Sequence, residues 1–231
     1  MEQAPILIVG ASRGIGHAIA QRLIMQGIPV ITVSRTGSGP EGAQAHLTAD
    51  VVTDGLPLEQ LPETLAGMVY CPGTIDLKPL RSLKLEDFRH ALEVNLIGAF
   101  RAAQDSAERL KKVPGSSMLF FSTVAVGQGM SFHAAVAAAK GGVEGLARSL
   151  AAELAPTLRV NCIAPSLTHT SLAERLLSTP EKEKAAGDRH PMKRVGQAED
   201  IAAMAAFLLG NEASWITGQV IGVDGGMSTL R

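Results

Sequence analysis

The sequence predicts an α/β protein: a doubly wound parallel sheet of about seven strands, folded as a single domain over residues 1–231. Short β-rich runs alternate with longer Ala- and Leu-rich amphipathic stretches, the pattern of repeated strand-helix crossovers. Most of those runs are continuously apolar, as strands covered by helices on both faces must be. Size agrees, because 231 residues of which 46% are hydrophobic supply one sizeable core and too little for two generous domains.

Strands are expected at "PILIV" (5–9), "PVITV" (29–33), "QAHLT" (44–48), "GMVYC" (67–71), "SMLFFS" (117–122), "RVNCIA" (159–164) and "QVIGV" (219–223). The first follows an acidic head and stops at a glycine, so it reads as a strand and not as a signal peptide. Helices are expected over 15–26, 86–111, 134–154 and 198–209, with a short one near 57–65. The segment 168–196 is long, charged and interrupted by Pro180 and Pro191. It reads as an insertion, a substrate lid over the carboxyl ends of the strands, where open α/β sheets bind ligands.

Composition narrows the function. Lys and Arg number 21 against 22 Asp and Glu, the net charge is -1, and neither sign forms a long block, which argues against nucleic acid or a membrane surface as partner. Lys140, Glu144, Arg148 and Glu153 break the Ala-rich stretch from Ala134 to Ala155 well short of a membrane span. Cys71 and Cys162 lie far apart inside apolar runs, spaced for neither a metal nor a redox pair. They are expected to be buried, reduced thiols in a soluble cytoplasmic protein with no metal site.

Directly after the first strand comes "GASRGIG". Gly10, Gly14 and Gly16 suit a sharp turn and a close backbone approach to a pyrophosphate, with the following helix presenting its N–H groups and partial positive charge to the anion. Ser12, Arg13 and Ile15 fill the loop, which reads as a Rossmann-type dinucleotide site. The second strand ends "VSRTGSG". An NAD site wants a carboxylate there, whereas this chain offers Ser34 and Arg35, with no acid until Glu41. Arg13 adds a second cation, and together they favour NADP(H) over NAD(H).

Across nearly its whole length the chain resembles the short-chain dehydrogenase/reductase family, in particular members similar to 3-oxoacyl-[acyl-carrier-protein] reductases. The glycine loop matches the family's Gly-xxx-Gly-x-Gly pattern, and "LTADV" matches the segment whose Asp, here Asp50, bonds adenine while Val51 packs on it. "YCPG" stands where the family usually has Asn-Asn-Ala-Gly, so Cys71, Pro72 and Gly73 are expected against the cofactor. "NCIAPSLTHT" resembles the nicotinamide-side Pro-Gly turn, with Pro165 kept and Ser166 in place of glycine. Thr168 and Thr170 follow, the latter where the family's Thr meets the carboxamide. "WITGQVIGVDGGM" resembles the family's carboxyl-terminal segment.

In that family Asn, Ser, Tyr and Lys do the chemistry, with Tyr four residues before Lys as proton donor and Lys lowering its pKa and holding the ribose. The resemblance implies Asn95, Thr123 and Lys140 for three of these roles and puts Val136 at the Tyr position. The sole tyrosine, Tyr70, ends the fourth strand and is not a displaced donor. His133, three residues before Val136, shares its face if the helix or its lead-in turn extends that far, and imidazole titrates in the right range. The proton donor is therefore His133 or a water held by Lys140 and Thr123. His169 and His190 are lid residues within reach of substrate, ranked below His133.

Two functions stay open. One is an NADP(H)-dependent carbonyl reductase or alcohol dehydrogenase acting on a small-molecule carbonyl or alcohol. The other is a catalytically inactive NADP-binding or regulatory relative, which the valine favours. Small residues on several faces of the 134–154 helix suit close packing across a two-fold axis, and the resemblance implies a homotetramer or homodimer.

Overall fold

The computed structural model describes residues 3–230; Met1 and Glu2, part of the acidic head read from the sequence, lie outside them. Seven strands are present, β1 (Ile6–Val9), β2 (Val30–Ser34), β3 (Ala45–Thr48), β4 (Gly67–Tyr70), β5 (Ser116–Phe121), β6 (Leu158–Pro165) and β7 (Val220–Val223). They form one sheet in the order β3-β2-β1-β4-β5-β6-β7, and every pairing is parallel. The chain winds outward in one direction from β1 to β3 and in the other from β4 to β7. The crevice where the order reverses lies between β1 and β4, at their carboxyl ends.

The alternation of side chains along each strand divides the core in two. Leu7 and Val9 of β1 point into one layer with Met68, Met118 and Phe120, and Ile6 and Ile8 point into the other with Leu119 and Ile163. Helices α1 (Gly14–Met25) and α7 (Ala198–Leu209) pack together over the second layer. Helices α3 (Gly98–Lys111) and α5 (Ala134–Leu154) cover the first. None of the described helices is long and apolar enough to cross a membrane.

Three expectations need correction. The 86–111 helix is two helices, α2 (Leu85–Leu92) and α3, joined through one wide π turn at Glu93–Ile97. The helix near 57–65 shrinks to a single 3-10 turn, Leu58–Gln60. Pro57 and Pro62 bracket it, neither can donate a helix bond, and Arg109 instead binds Pro62 O at 3.0 Å and Leu58 O at 2.9 Å. The 168–196 segment is not all loop either. After the short α4 (Val124–Gly127) and α5, it carries α6 (Pro180–Arg189). Thr179 caps that helix by accepting from Lys182 N, Pro180 opens it, and Glu181 and Glu183 occupy its first turn.

Candidate active site

The turn after β1 is built for glycine. Gly10 has φ +83, and a Cβ there would lie 3.0 Å from Pro72 Cδ; a Cβ on Gly16 would collide with the Gly10 carbonyl. The turn delivers the chain to α1 with its amino end open. Arg13 is the extended N-cap residue, no side chain caps the helix, and no acid occupies the first turn. The N–H groups that a helix leaves unpaired therefore face the crevice, a fitting cradle for a pyrophosphate.

Around this cradle the fold gathers most of the residues singled out for a cofactor. Pro72 closes on Gly10, Cys71 Cβ stands 3.2 Å from where a Gly16 Cβ would lie, and Thr170 comes within 3.4 Å of a Cβ built on Gly14. Ile15 packs at the edge of the second core layer. Ser12 faces the loop after β2, 3.9 Å from a Cβ built on Gly37. Ser34 is buried and donates to Thr36 O at 3.0 Å. Arg35 projects into solvent, its side chain 70% exposed and 4.0 Å from Asp50 Oδ2, while Arg13 is exposed beside the same crevice. Asp50 Oδ1 caps its own turn by accepting from Val52 N at 3.1 Å, and Val51 is buried.

Farther along the crevice, Asn95, Gly73 and Lys140 meet. A Cβ on Gly73 would stand 3.1 Å from Asn95 Oδ1 and 3.7 Å from Lys140 Nζ. Asn95 is wholly buried in the π turn, a wider turn often found at functional sites. Its amide donates to Ala91 O at 2.8 Å and Thr74 Oγ1 at 3.0 Å, and its Oδ1 accepts from Thr74 N at 3.3 Å. Thr74 was not marked by the sequence; only its place after Gly73 hints at it.

Burial lowers the Lys140 pKa to about 8. No ion pair joins it among the described residues. Glu144, one turn away, is held by Ser122 Oγ at 2.7 Å and Arg148 at 3.1 Å. The thiols nearest in charge, Cys71 and Cys162, are pushed up to about 12 by burial and stay neutral. Both cysteines are free; Cys162 is buried as expected, whereas Cys71 keeps part of its surface exposed.

Val136 lies one turn before Lys140 and is 5% exposed. Thr123 caps α4, its Oγ1 accepting from Ala125 N at 3.3 Å. Its own hydroxyl hydrogen therefore remains available. Tyr70 is buried and donates to Val94 O at 2.8 Å; burial raises its pKa, so it serves the core and not proton transfer. His133 is the N-cap residue of α5, and its ring bonds within the lead-in, Nδ1 to Ser131 O at 2.8 Å. Its position precedes Val136 as expected, but among the described residues no hydrogen bond links it to Asn95, Thr123 or Lys140.

Beyond β6 the chain turns at Pro165 and Ser166. Thr168 Oγ1 donates to Ser166 O at 2.9 Å, and Thr170 Oγ1 to Thr168 O at 3.4 Å. His190 is 3% exposed and its Nε2 lies 2.8 Å from Ser166 Oγ, so it is a packed partner of this turn and not an open lid residue. His169 is bound to Glu183 on α6, Nε2 to Oε1 at 2.8 Å.

A parallel sheet in this order, a glycine turn feeding an uncapped helix at the switch point and a buried Lys–Asn pair beside it define an oxidoreductase of the nicotinamide-dinucleotide class. A family model described as enoyl-(acyl carrier protein) reductase matches residues 10–228. The chain is 34% identical to a tropinone reductase homologue of Arabidopsis thaliana, covering 96% of this chain and 92% of that one. It is 33% identical to the 3-oxoacyl-[acyl-carrier-protein] reductase MabA of Mycobacterium tuberculosis, again over 96% and 92%. A single-substitution variant of the actinorhodin polyketide ketoreductase, with NADPH, superposes with a TM-score of 0.90 at 26% identity, covering 98% of both chains. The chain belongs to the short-chain dehydrogenase/reductase family.

Proposed function

We propose that this protein is an NADP(H)-dependent carbonyl reductase, reversible as an alcohol dehydrogenase, that takes its proton from a water held by Lys140 and Thr123 instead of a phenol. The observation that carries the reading is the buried Lys140 ammonium beside Asn95 at Gly73, with no carboxylate paired to it among the described residues. A lysine so placed gives up its proton more readily than an exposed one. Val136, at the position where the family resemblance expects Tyr, has no proton to give, so the proton is assigned to a water. The reductase names of the two relatives and the NADPH in the polyketide ketoreductase support the reaction class and cofactor. Arg13 in the glycine turn and Arg35 directly after β2 support NADP(H), since both are exposed cations able to pair with a 2'-phosphate.

NADPH held in the crevice would supply the hydride for the carbonyl carbon. Thr123 orients the carbonyl oxygen through the hydrogen its cap bond leaves free. As negative charge grows on that oxygen, the proton moves from Lys140 Nζ through the water, and Lys140 is recharged from solvent. Asn95 fixes the backbone at Thr74 and keeps the crevice wall rigid. His133 is the second candidate donor. Its Nδ1 donates to Ser131 O, which orients the ring, and Nε2 holds a transferable proton in the imidazolium form.

The test is to mix purified protein with NADPH and a panel of ketones, diketones and 3-oxoacyl thioesters and follow NADPH absorbance. Oxidation on one class supports the reading. Tight NADPH binding without turnover on any of them supports instead a regulatory, non-catalytic relative, the reading that the buried aliphatic Val136 favours. We further propose that the chain is cytoplasmic and works as a homotetramer or homodimer, with α5 at a two-fold contact.

A further inference from the structure

We infer that Ser166 and His190 form a positioning pair that pins the lid, residues 168–196, onto the carboxyl end of β6. The inference rests on the proposed function only for what the lid covers.

The lid is closed at its root by backbone: Thr168 bridges Gly196, Gly196 N donates to Leu167 O at 3.0 Å, and His169 N donates to Gly196 O at 2.8 Å. That clasp fixes where the lid begins and ends, His169 Nε2 ties Glu183 of α6 at 2.8 Å on an exposed face, and Met192 N donates to Gly225 O at 3.2 Å just past the helix. The side-chain pair adds a buried constraint at the end of α6. His190 ends α6, and its Nδ1 lies 2.8 Å from Ala186 O one turn back. A carbonyl can only accept, so Nδ1 carries the hydrogen, and Nε2 of the neutral ring accepts from Ser166 Oγ at 2.8 Å. Both ring nitrogens are thereby used, one toward the helix and one toward the strand. With only 3% of His190 exposed, no water can readily replace a lost partner. The ring also abuts the turn after β7, its Cδ2 lying 3.7 Å from where a Gly225 Cβ would stand.

The two residues make sense only together. The resemblance expects glycine at 166, and glycine has no group for the imidazole to bind; a serine without His190 would lose the one side-chain partner its hydroxyl has here. The pair forms one wall of a cavity of about 270 Å³ that Thr168, Met192 and Arg194 also line. His190, Met192 and Arg194 follow α6 directly, so the pair fixes where the chain leaving that helix meets the cavity. Ser166 and His190 touch neither Lys140 nor Asn95 by any hydrogen bond among the described residues, so their effect on turnover passes through the lid.

The experiment compares Ser166→Ala, His190→Leu, the double variant and His190→Gln, whose amide oxygen reaches the Nε2 position and restores an acceptor. Native-state tryptic cleavage within the lid at Arg175, Lys182, Lys184, Arg189 and Lys193 is timed by mass spectrometry, which needs no turnover and so separates this inference from the proposed activity. Each single change should speed lid cleavage roughly tenfold or more, the double variant no further, and His190→Gln should return most of the protection. With a working ketone substrate, the singles should raise KM more than they lower kcat. Unchanged cleavage in either single variant, or accelerations that multiply in the double, overturns the pair. Should the variants not fold, ring-nitrogen NMR of the wild type decides: a slowly exchanging Nδ1–H tautomer supports it, and a freely exchanging ring overturns it.

Discussion

Val136 and Lys140 lie one turn apart on the same buried face of α5, 5% and 8% exposed. An aliphatic group thus stands one turn before a buried ammonium on the same helix face. If the remaining frame is competent, Val136→Tyr restores a phenol whose ionisation the neighbouring charge favours. We expect it to raise kcat for simple ketones at least tenfold while NADPH affinity stays within about threefold. Unaltered turnover with NADPH binding retained would show that the surroundings of Val136 no longer support phenol chemistry.

The same burial makes stability depend on pH. Unfolding returns Lys140 from a pKa of about 8 to its ordinary 10.5. Below pH 8 the folded protein holds a charged lysine that burial disfavours; between pH 8 and 10.5 the unfolded chain binds the extra proton, so stability contributed by this residue rises with pH. Lys140→Met removes the titration at similar length. We expect the variant to be the more stable of the two at pH 7, by about 3 kcal/mol on the charge term alone, and the difference to shrink toward pH 10. Paired urea melts at the two pH values measure it, and a constant difference contradicts the burial argument. Turnover of the variant should fall at least roughly 10²-fold.

Much of this arrangement is legible in the sequence because it depends on local chemistry. Seven apolar runs mark seven strands, and the glycine spacing marks the turn that a Cβ on Gly10 or Gly16 would block. Asn95 and Lys140 are recognisable as polar residues in apolar stretches, groups that need partners when buried. What those partners are was not legible, since Thr74 and Asn95 meet across a separation of 21 residues and Ser166 and His190 across 24. The wide turn at Glu93–Ile97 leaves no mark in an unbroken helical period. Helix α6 is a different lesson: Thr179, Pro180 and Glu181 form a clear helix start, hidden by reading the prolines only as breakers.

His133 offers a sharp test of the proton route. Among the described residues its ring makes one hydrogen bond, to Ser131 O in the lead-in to α5, and none to Thr123 or Lys140. If water and Lys140 carry the proton, His133→Ala should change kcat by less than about threefold. A loss of roughly 10²-fold instead would make the imidazole the acid and Lys140 a ribose ligand alone.

The proposed preference for NADP(H) is tested at Arg35. Its side chain is 70% exposed and stands 4.0 Å from Asp50, too long and too wet a pair to contribute much stability. Arg35→Asp should therefore leave the urea midpoint nearly unmoved while replacing a phosphate-binding cation with a ribose-binding carboxylate. We expect the ratio of kcat/KM for NADPH over NADH to fall by roughly 10²-fold, an effect of about 2.7 kcal/mol. An unchanged ratio would move the phosphate contact to Arg13 or remove the NADP(H) preference altogether.

Assembly is tested best where a single chain is indifferent to the change. Ala138, Gly145 and Ala152 recur every seventh residue along α5, all exposed, and a Cβ at Gly145 meets nothing within 4 Å. Within one chain, then, Gly145→Arg has room, and a helix interior prefers arginine to glycine by up to about 1 kcal/mol. Across a two-fold contact the same guanidinium would be forced into its own symmetry mate, where small residues let helices approach closely. We expect sedimentation to show the wild type as a dimer or tetramer and Gly145→Arg as a smaller species with intact helical circular dichroism. If the variant keeps the wild-type mass, α5 is not at the contact, because neither folding nor helix propensity opposes the substitution.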